Sequence, residues 1–122
     1  MLACNDPYDA YQRVEFDAWV RGASPQELVQ ICFDQLIIAL TTATLANERG
    51  DARLKSRAMT RAVTALIALE MGIDRRHEMA DVLSEFYGAA RKSILASSVN
   101  FDREVLSNIC DDFSELREAF RR

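Results

Sequence analysis

The longest uninterrupted helical pattern in the chain begins at Ser24 and ends at Gly50, with no glycine and no proline after Pro25. The Ser24 side chain can accept hydrogen bonds from the first N–H groups of a helix. Pro25 lies where an N–H is not needed, and Glu27 completes a capping box. Gly50 suits the position just after a helix end. The sequence therefore predicts a helix from Pro25 to about residue 49.

This predicted helix has two apolar sides. One broad apolar face, of the kind that packs into a core, carries Leu28, Val29, Cys32, Phe33, Leu36, Ile37 and Leu40. The opposite side is polar, with Gln30, Asp34, Gln35, Thr41 and Thr42, except for three apolar residues spaced seven apart. These three, Ile31, Ile38 and Leu45, are named the outer seam. A single apolar face is enough for burial in a bundle, so the outer seam is predicted to pack on something else.

Three further helices are predicted after Gly50. The first is capped by Asp51 and ends near Met71, the second covers about residues 77–97, and the third follows Asp102. No segment alternates with the period of a strand. Long helices with short connections favour antiparallel neighbours. The predicted fold is all-α, an antiparallel up-down four-helix bundle with a short N-terminal helical cap segment. Its 122 residues form one domain, with the cap segment in residues 1–22 and the bundle in residues 23–122.

Two other features have both a structural and a functional interpretation. Tyr8, Tyr11 and Val14 precede the break at Arg21-Gly22. They either close one end of the core or form a detachable cap over a binding surface. Arg53, Arg57 and Arg61 repeat at helical spacing. They form either a solvated helix face or a docking strip for an acidic partner.

The composition argues against several functional classes. The net charge is −4 and only two residues are lysines, so general nucleic-acid binding is not expected. No apolar run approaches the roughly 18 residues of a membrane span, so no membrane insertion is expected. The three unclustered cysteines indicate free thiols in a reducing compartment.

The search for chemistry indicates that the chain is not an enzyme. His77 is the only histidine, and no second histidine follows it at the spacing of a zinc protease. A di-iron bundle needs Glu-x-x-His on two helices, and a phosphate loop needs a glycine-rich stretch; neither occurs. The sequence predicts no catalytic residues, no metal and no cofactor.

Several short motifs in fixed order resemble one protein family. They are Ala10-Tyr11, Ala23-Ser24-Pro25-Gln26-Glu27-Leu28, Phe33-Asp34, Gly50-Asp51 and the closing Leu116-Arg117-Glu118-Ala119-Phe120. Together they resemble the flagellar secretion chaperone family (FliS), over about residues 10–120. The chain departs from the family pattern at Gln35, where a glycine is usual. It also departs in the short loop Arg75-Arg76-His77-Glu78 and at Ser97-Ser98, where Ala-Asn is usual.

The resemblance implies a cytoplasmic export chaperone of the bacterial flagellum. Such a protein binds the disordered C-terminal segment of flagellin, prevents premature polymerisation and delivers flagellin to the flagellar type III export apparatus. It also implies that the N-terminal segment lies over part of the flagellin-binding surface. The implied partners are flagellin, the export gate and, in some cases, an anti-sigma factor or co-chaperone. Two alternatives remain open: a structural helical protein whose outer seam forms a homodimer, and a diverged paralogue with another client.

Overall fold

The computed structural model describes residue 22 and residues 24–121. Within this part of the chain, four helices follow one another: α1 (Pro25–Glu48), α2 (Ala52–Met71), α3 (Ala80–Val99) and α4 (Arg103–Arg121). No strand occurs among the described residues. The all-α prediction is therefore confirmed. Residues 1–21, which include most of the predicted cap segment, lie outside the described part.

The ends of the helices follow the local signals in the sequence. Ser24 Oγ accepts a hydrogen bond from the Glu27 N–H, and a Glu27 carboxylate oxygen accepts one from the Ser24 N–H, both at 3.2 Å. This is the predicted capping box. Gly50 has a φ of +72°, a backbone conformation that favours glycine, and it stops α1. Asp51 caps α2 by accepting from the Leu54 N–H at 3.0 Å. Asp102 accepts from the Val105 N–H at 3.2 Å at the start of α4.

The four helices form a closed ring of neighbours. α1 packs on α2 and α4, and α3 packs on α2 and α4. Short connections of three residues join α1 to α2 and α3 to α4, so both pairs are antiparallel. α1 and α4 are also antiparallel, because Arg103 at the start of α4 pairs with Glu48 at the end of α1. Near the opposite end of both helices, Arg121 bonds to Gln30. This is the predicted up-down bundle.

The core is built from alanines and large apolar side chains on all four helices. The largest fully buried side chains are Phe33, Leu36, Leu40, Leu66, Ile94, Leu106 and Phe113. Phe113 joins three helices, since its ring lies 6.1 Å from that of Phe33 and stacks on Phe86 and Tyr87 at 5.1 and 5.9 Å. Such aromatic contacts add to the burial of apolar area, which is the main stabilising contribution.

The start of α3 differs from the sequence prediction. The helix was expected from about residue 77, but residues 75–79 form turns and the helix begins at Ala80. The Nδ1 atom of His77 accepts a hydrogen bond from the Met79 N–H at 3.0 Å. This bond stabilises a turn rather than a first helical repeat, so the charged residues before Ala80 belong to the α2–α3 connection.

α1 also corrects the expectation about apolar runs. By length and composition this helix is apolar enough to cross a membrane. It has that composition because it carries apolar residues on two sides, the core face and the outer seam. The same test is passed by core helices of helical bundles, and the core face of α1 is packed against α2 and α4.

Candidate functional site

The outer seam lies on the solvent side of α1. Ile38 is 52% exposed and Leu45 is 46% exposed, whereas Leu36, two residues before Ile38, is fully buried. Ile31 is partly buried. The seven-residue spacing keeps all three residues on one side of the helix, with a drift of only about 20° per repeat. The structure thus brings the three predicted residues into one apolar row, with its most exposed point at the middle of α1.

Polar side chains border the row on both sides. Asp34 is three residues after Ile31 and four before Ile38, and it lies on the side that faces α4. Gln35 occupies the matching place on the side that faces α2. The outer seam is therefore an apolar row with polar residues on both sides.

Arginines from α4 form a row of polar contacts along one margin of the outer seam. Arg117 Nη1 lies 2.8 Å from Asp34 Oδ1, Arg103 Nη2 lies 3.5 Å from Glu48 Oε1, and Arg121 Nε donates to Gln30 Oε1 at 3.2 Å. Sequence reasoning did not predict these contacts. A signal was present, because all three arginines of α4 lie on one side of that helix.

The predicted docking strip is only partly solvated. Arg53 is exposed, whereas Arg57 and Arg61 are partly buried. A purely solvated helix face would leave all three in water. Arg57 and Arg61 are therefore partly covered by other groups, and each has an interaction partner.

The predicted cap residues Tyr8, Tyr11 and Val14 lie outside the described residues, as does Cys4. Cys32 and Cys110 are free thiols; Cys32 is buried and Cys110 is partly buried. Burial raises the pKa of the Cys32 thiol.

A cavity of about 420 Å³ opens at the end of the bundle where α1 begins and α4 ends. Its wall is apolar and comes from all four helices and the α2–α3 connection: Val29, Leu69, Ile73, Met79, Leu83, Tyr87, Leu116 and Phe120. The Phe120 side chain is 45% exposed, although its ring lies 5.4 Å from that of the fully buried Phe33. At this end of the bundle, apolar side chains of the helices are therefore not fully covered by neighbouring helices.

Tyr87 forms part of the cavity wall and is almost fully buried. Burial, with a smaller electrostatic contribution from Cys32, raises the pKa of the Tyr87 hydroxyl to about 12. In the α2–α3 connection, hydrogen bonds from the backbone and side chain of Arg76 lower the pKa of Asp74. Among residues 22 and 24–121, no three His, Cys, Asp or Glu side chains converge in a way that could hold a metal ion.

The fold and the site define the class of protein: an antiparallel four-helix bundle that carries an exposed apolar row on its first helix, α1. The family profile described as "Flagellar protein FliS" matches residues 7–122. The chain is 29% identical over 116 residues to the flagellar secretion chaperone FliS of Salmonella typhimurium, covering 93% of this chain and 86% of the relative. It is 22% identical over 113 residues to the flagellar secretion chaperone FliS of Vibrio cholerae, covering 91% and 83%. The chain belongs to the FliS family of flagellar secretion chaperones.

Proposed function

We propose that this chain is a cytoplasmic chaperone that binds the disordered C-terminal segment of flagellin and delivers it to the flagellar type III export apparatus. Bound flagellin is thereby kept from polymerising before export. The observation that carries the proposal is the outer seam: Ile38 and Leu45 are about half exposed on a helix whose other apolar face is already buried in the core. Family membership supports the chaperone role, and the apolar row supplies a surface for a client helix.

The free energy available from burying the outer seam limits how tightly this surface alone can bind a client. Full burial of an Ile or Leu side chain contributes about 1.5–3 kcal/mol. Ile38 and Leu45 are already about half covered and Ile31 more than half, so the three residues contribute roughly 2–4 kcal/mol. Ordering a disordered client costs about 2–5 kcal/mol or more. The two amounts nearly cancel. The outer seam is therefore a necessary anchor, and the client must also contact its margins.

The N-terminal segment is proposed as a detachable cap. Tyr8, Tyr11 and Val14 are large enough to cover apolar surface while no client is bound, and a client helix with more apolar area displaces them. The released segment, through Tyr11, is then available to the export gate. The Arg53, Arg57 and Arg61 strip is the proposed contact for acidic groups of a partner, and an anti-sigma factor or a co-chaperone is a further candidate partner.

The rival function is that of a structural helical protein whose outer seam forms a symmetric homodimer. Light scattering on the purified chain, with and without a peptide of the host flagellin C-terminus, separates the two functions. The chaperone proposal predicts a monomer that forms a one-to-one complex with the peptide. A stable dimer that does not bind the peptide would contradict the chaperone proposal and favour the structural role. A diverged paralogue would instead show a monomer that binds a different flagellar export substrate.

A further inference from the structure

The cavity at the end of the bundle where α1 begins, named the end cavity, is large enough for a big aromatic side chain. Its volume is about 420 Å³, and its wall is apolar except for Asp74 and His77 on the exposed α2–α3 connection. An apolar cavity of about 150 Å³ already holds a benzene ring. On the rim, Met79 and Phe120 are 44% and 45% exposed, so an apolar group in the end cavity would bury additional apolar surface.

Tyr87 gives the wall of the end cavity one buried polar group. The Tyr87 side chain is only 3% exposed, and it lines the cavity. Its hydroxyl forms no hydrogen bond with any residue that the structure describes. The oxygen is nevertheless not fully enclosed by protein atoms, and the end cavity is the open space that Tyr87 borders. Because a buried hydroxyl without a partner is costly, a group with one hydrogen-bond donor and a large apolar body would fit this wall.

The part of the chain outside the described residues enters the bundle at this same end. Residues 1–21 precede α1, and Val29, in the second turn of α1, belongs to the cavity wall. Trp19 is five residues before Ser24, and five residues span at most about 17 Å. Since neighbouring helices pack about 8–10 Å apart, the Trp19 side chain can reach the mouth of the end cavity.

Trp19 also matches the chemistry of the wall better than the other aromatic residues before α1. Its indole ring is large and apolar, and its single N–H is a donor that usually finds a partner when buried. Phe16 has no donor. Tyr8 and Tyr11 each have a hydroxyl, but they are farther from α1, so holding either of them in the cavity closes a longer loop and costs more entropy.

We infer that Trp19 occupies the end cavity while no client is bound, with its indole N–H donating to the Tyr87 hydroxyl oxygen. Trp19 thereby anchors the N-terminal segment at the start of α1. This contact concerns the chain without a partner. It rests on the proposed function only in its last step, in which a client that displaces the cap withdraws Trp19 from the end cavity.

Nuclear magnetic resonance on the full chain labelled with nitrogen-15 tests the inference, because the only tryptophan gives a single indole N–H signal. Exchange of this hydrogen with water is expected to be slower than in free tryptophan, since a buried, bonded N–H exchanges only when the contact opens. Tyr87→Phe keeps the ring and removes the acceptor. Loss of one hydrogen bond is expected to speed the exchange about 2-fold to 10-fold.

A matched pair of substitutions on α4 tests the position of Trp19 without changing the core. Ala119 and Glu118 are both exposed near the end of α4, but only Ala119 lines the end cavity. Ala119→Phe places a ring in the space that Trp19 needs, so indole exchange is expected to approach the rate of free tryptophan. Glu118→Phe should leave the exchange rate unchanged. Circular dichroism verifies that both variants keep their helices.

Three results would overturn the inference: indole exchange in the full chain as fast as in free tryptophan, equal effects of Ala119→Phe and Glu118→Phe, or protection that disappears on dilution. The last result would mean that the tryptophan comes from a second copy of the chain. Failure of the proposed function looks different. In that case the indole N–H is protected and responds to Tyr87→Phe and Ala119→Phe, yet its exchange does not change when the flagellin peptide is added.

Discussion

At the scale of single residues, Leu36 and Ile38 show how two neighbours on one helix acquire opposite roles. Leu36 is fully buried between α1 and its neighbours, while Ile38 is half exposed. Leu36→Asp places an unpaired carboxylate in the core and is expected to unfold the protein. Ile38→Asp is expected to change the free energy of unfolding by less than about 1 kcal/mol. Urea unfolding followed by circular dichroism measures both. Equal destabilisation by the two substitutions would mean that Ile38 belongs to the core.

Tyr87 makes the stability of the bundle sensitive to alkaline pH. Its pKa is raised to about 12 in the folded chain, against about 10 in an unfolded one. Its stabilising contribution is therefore complete below about pH 10 and is lost as pH rises through about 12. The loss attributable to this residue is about 2–3 kcal/mol, since one pKa unit corresponds to about 1.4 kcal/mol.

The matched control is Tyr87→Phe, which keeps the ring and removes the ionisable hydroxyl. Guanidinium unfolding of both chains between pH 9 and pH 12 is expected to show a steeper decline for the unchanged chain. Parallel declines would show that the Tyr87 hydroxyl ionises as readily in the folded chain as in the unfolded one.

At the scale of helices, the sequence predicts those helix ends that are set by interactions between residues close together in the chain. Ser24, Glu27, Gly50, Asp51 and Asp102 set their helix ends through bonds to residues within a few positions, and these predictions are confirmed. Ile67 in α2, Met79 just before α3 and Val82 in α3 are large apolar residues, yet the structure leaves each of them about half exposed. Periodicity shows which residues share a face; only the packing of other helices decides how much of that face is covered.

The same distinction applies to the candidate site. The spacing of Ile31, Ile38 and Leu45 predicts that they share one side of α1, and the structure shows that Ile38 and Leu45 remain exposed. The arginine contacts from α4, the partial burial of Arg57 and Arg61, and the cavity depend on residues far apart in the sequence. The sequence shows the charge or apolar character of these residues, but it does not show which other residues they contact.

The pairing of Asp34 with Arg117 is expected to help hold α4 against α1. Arg117 is 24% exposed and the distance is 2.8 Å, so the pair is less screened than one fully in water. A double-mutant cycle with Asp34→Asn and Arg117→Gln is expected to give a coupling free energy of about 0.5–1 kcal/mol at low salt. The coupling should shrink in high salt. A coupling of zero at low salt would mean that the pair does not contribute to stability.

At the scale of the whole molecule, the four-helix bundle is expected to be stable without residues 1–20. Removing them should leave a folded but less soluble protein that binds client at least as tightly, because the cap no longer competes. Hydrogen exchange on the full chain tests the same idea: amides of residues 8–20 should lose protection when client binds, while those of residues 28–40 gain it. Unchanged or increased protection in residues 8–20 would mean that the segment is a fixed part of the fold.

The most direct test of the account is the affinity of a flagellin C-terminal peptide for three chains: unchanged, Ile38→Asp and Val99→Asp. Val99 is a matched control, since it is 91% exposed and lies at the end of α3, a helix that packs mainly on α2 and α4. Isothermal titration is expected to show that Ile38→Asp weakens binding at least about 10-fold, because a carboxylate is then buried against an apolar stripe. Val99→Asp should leave the affinity unchanged. Equal affinity for all three chains would contradict the assignment of the outer seam as the client-binding surface.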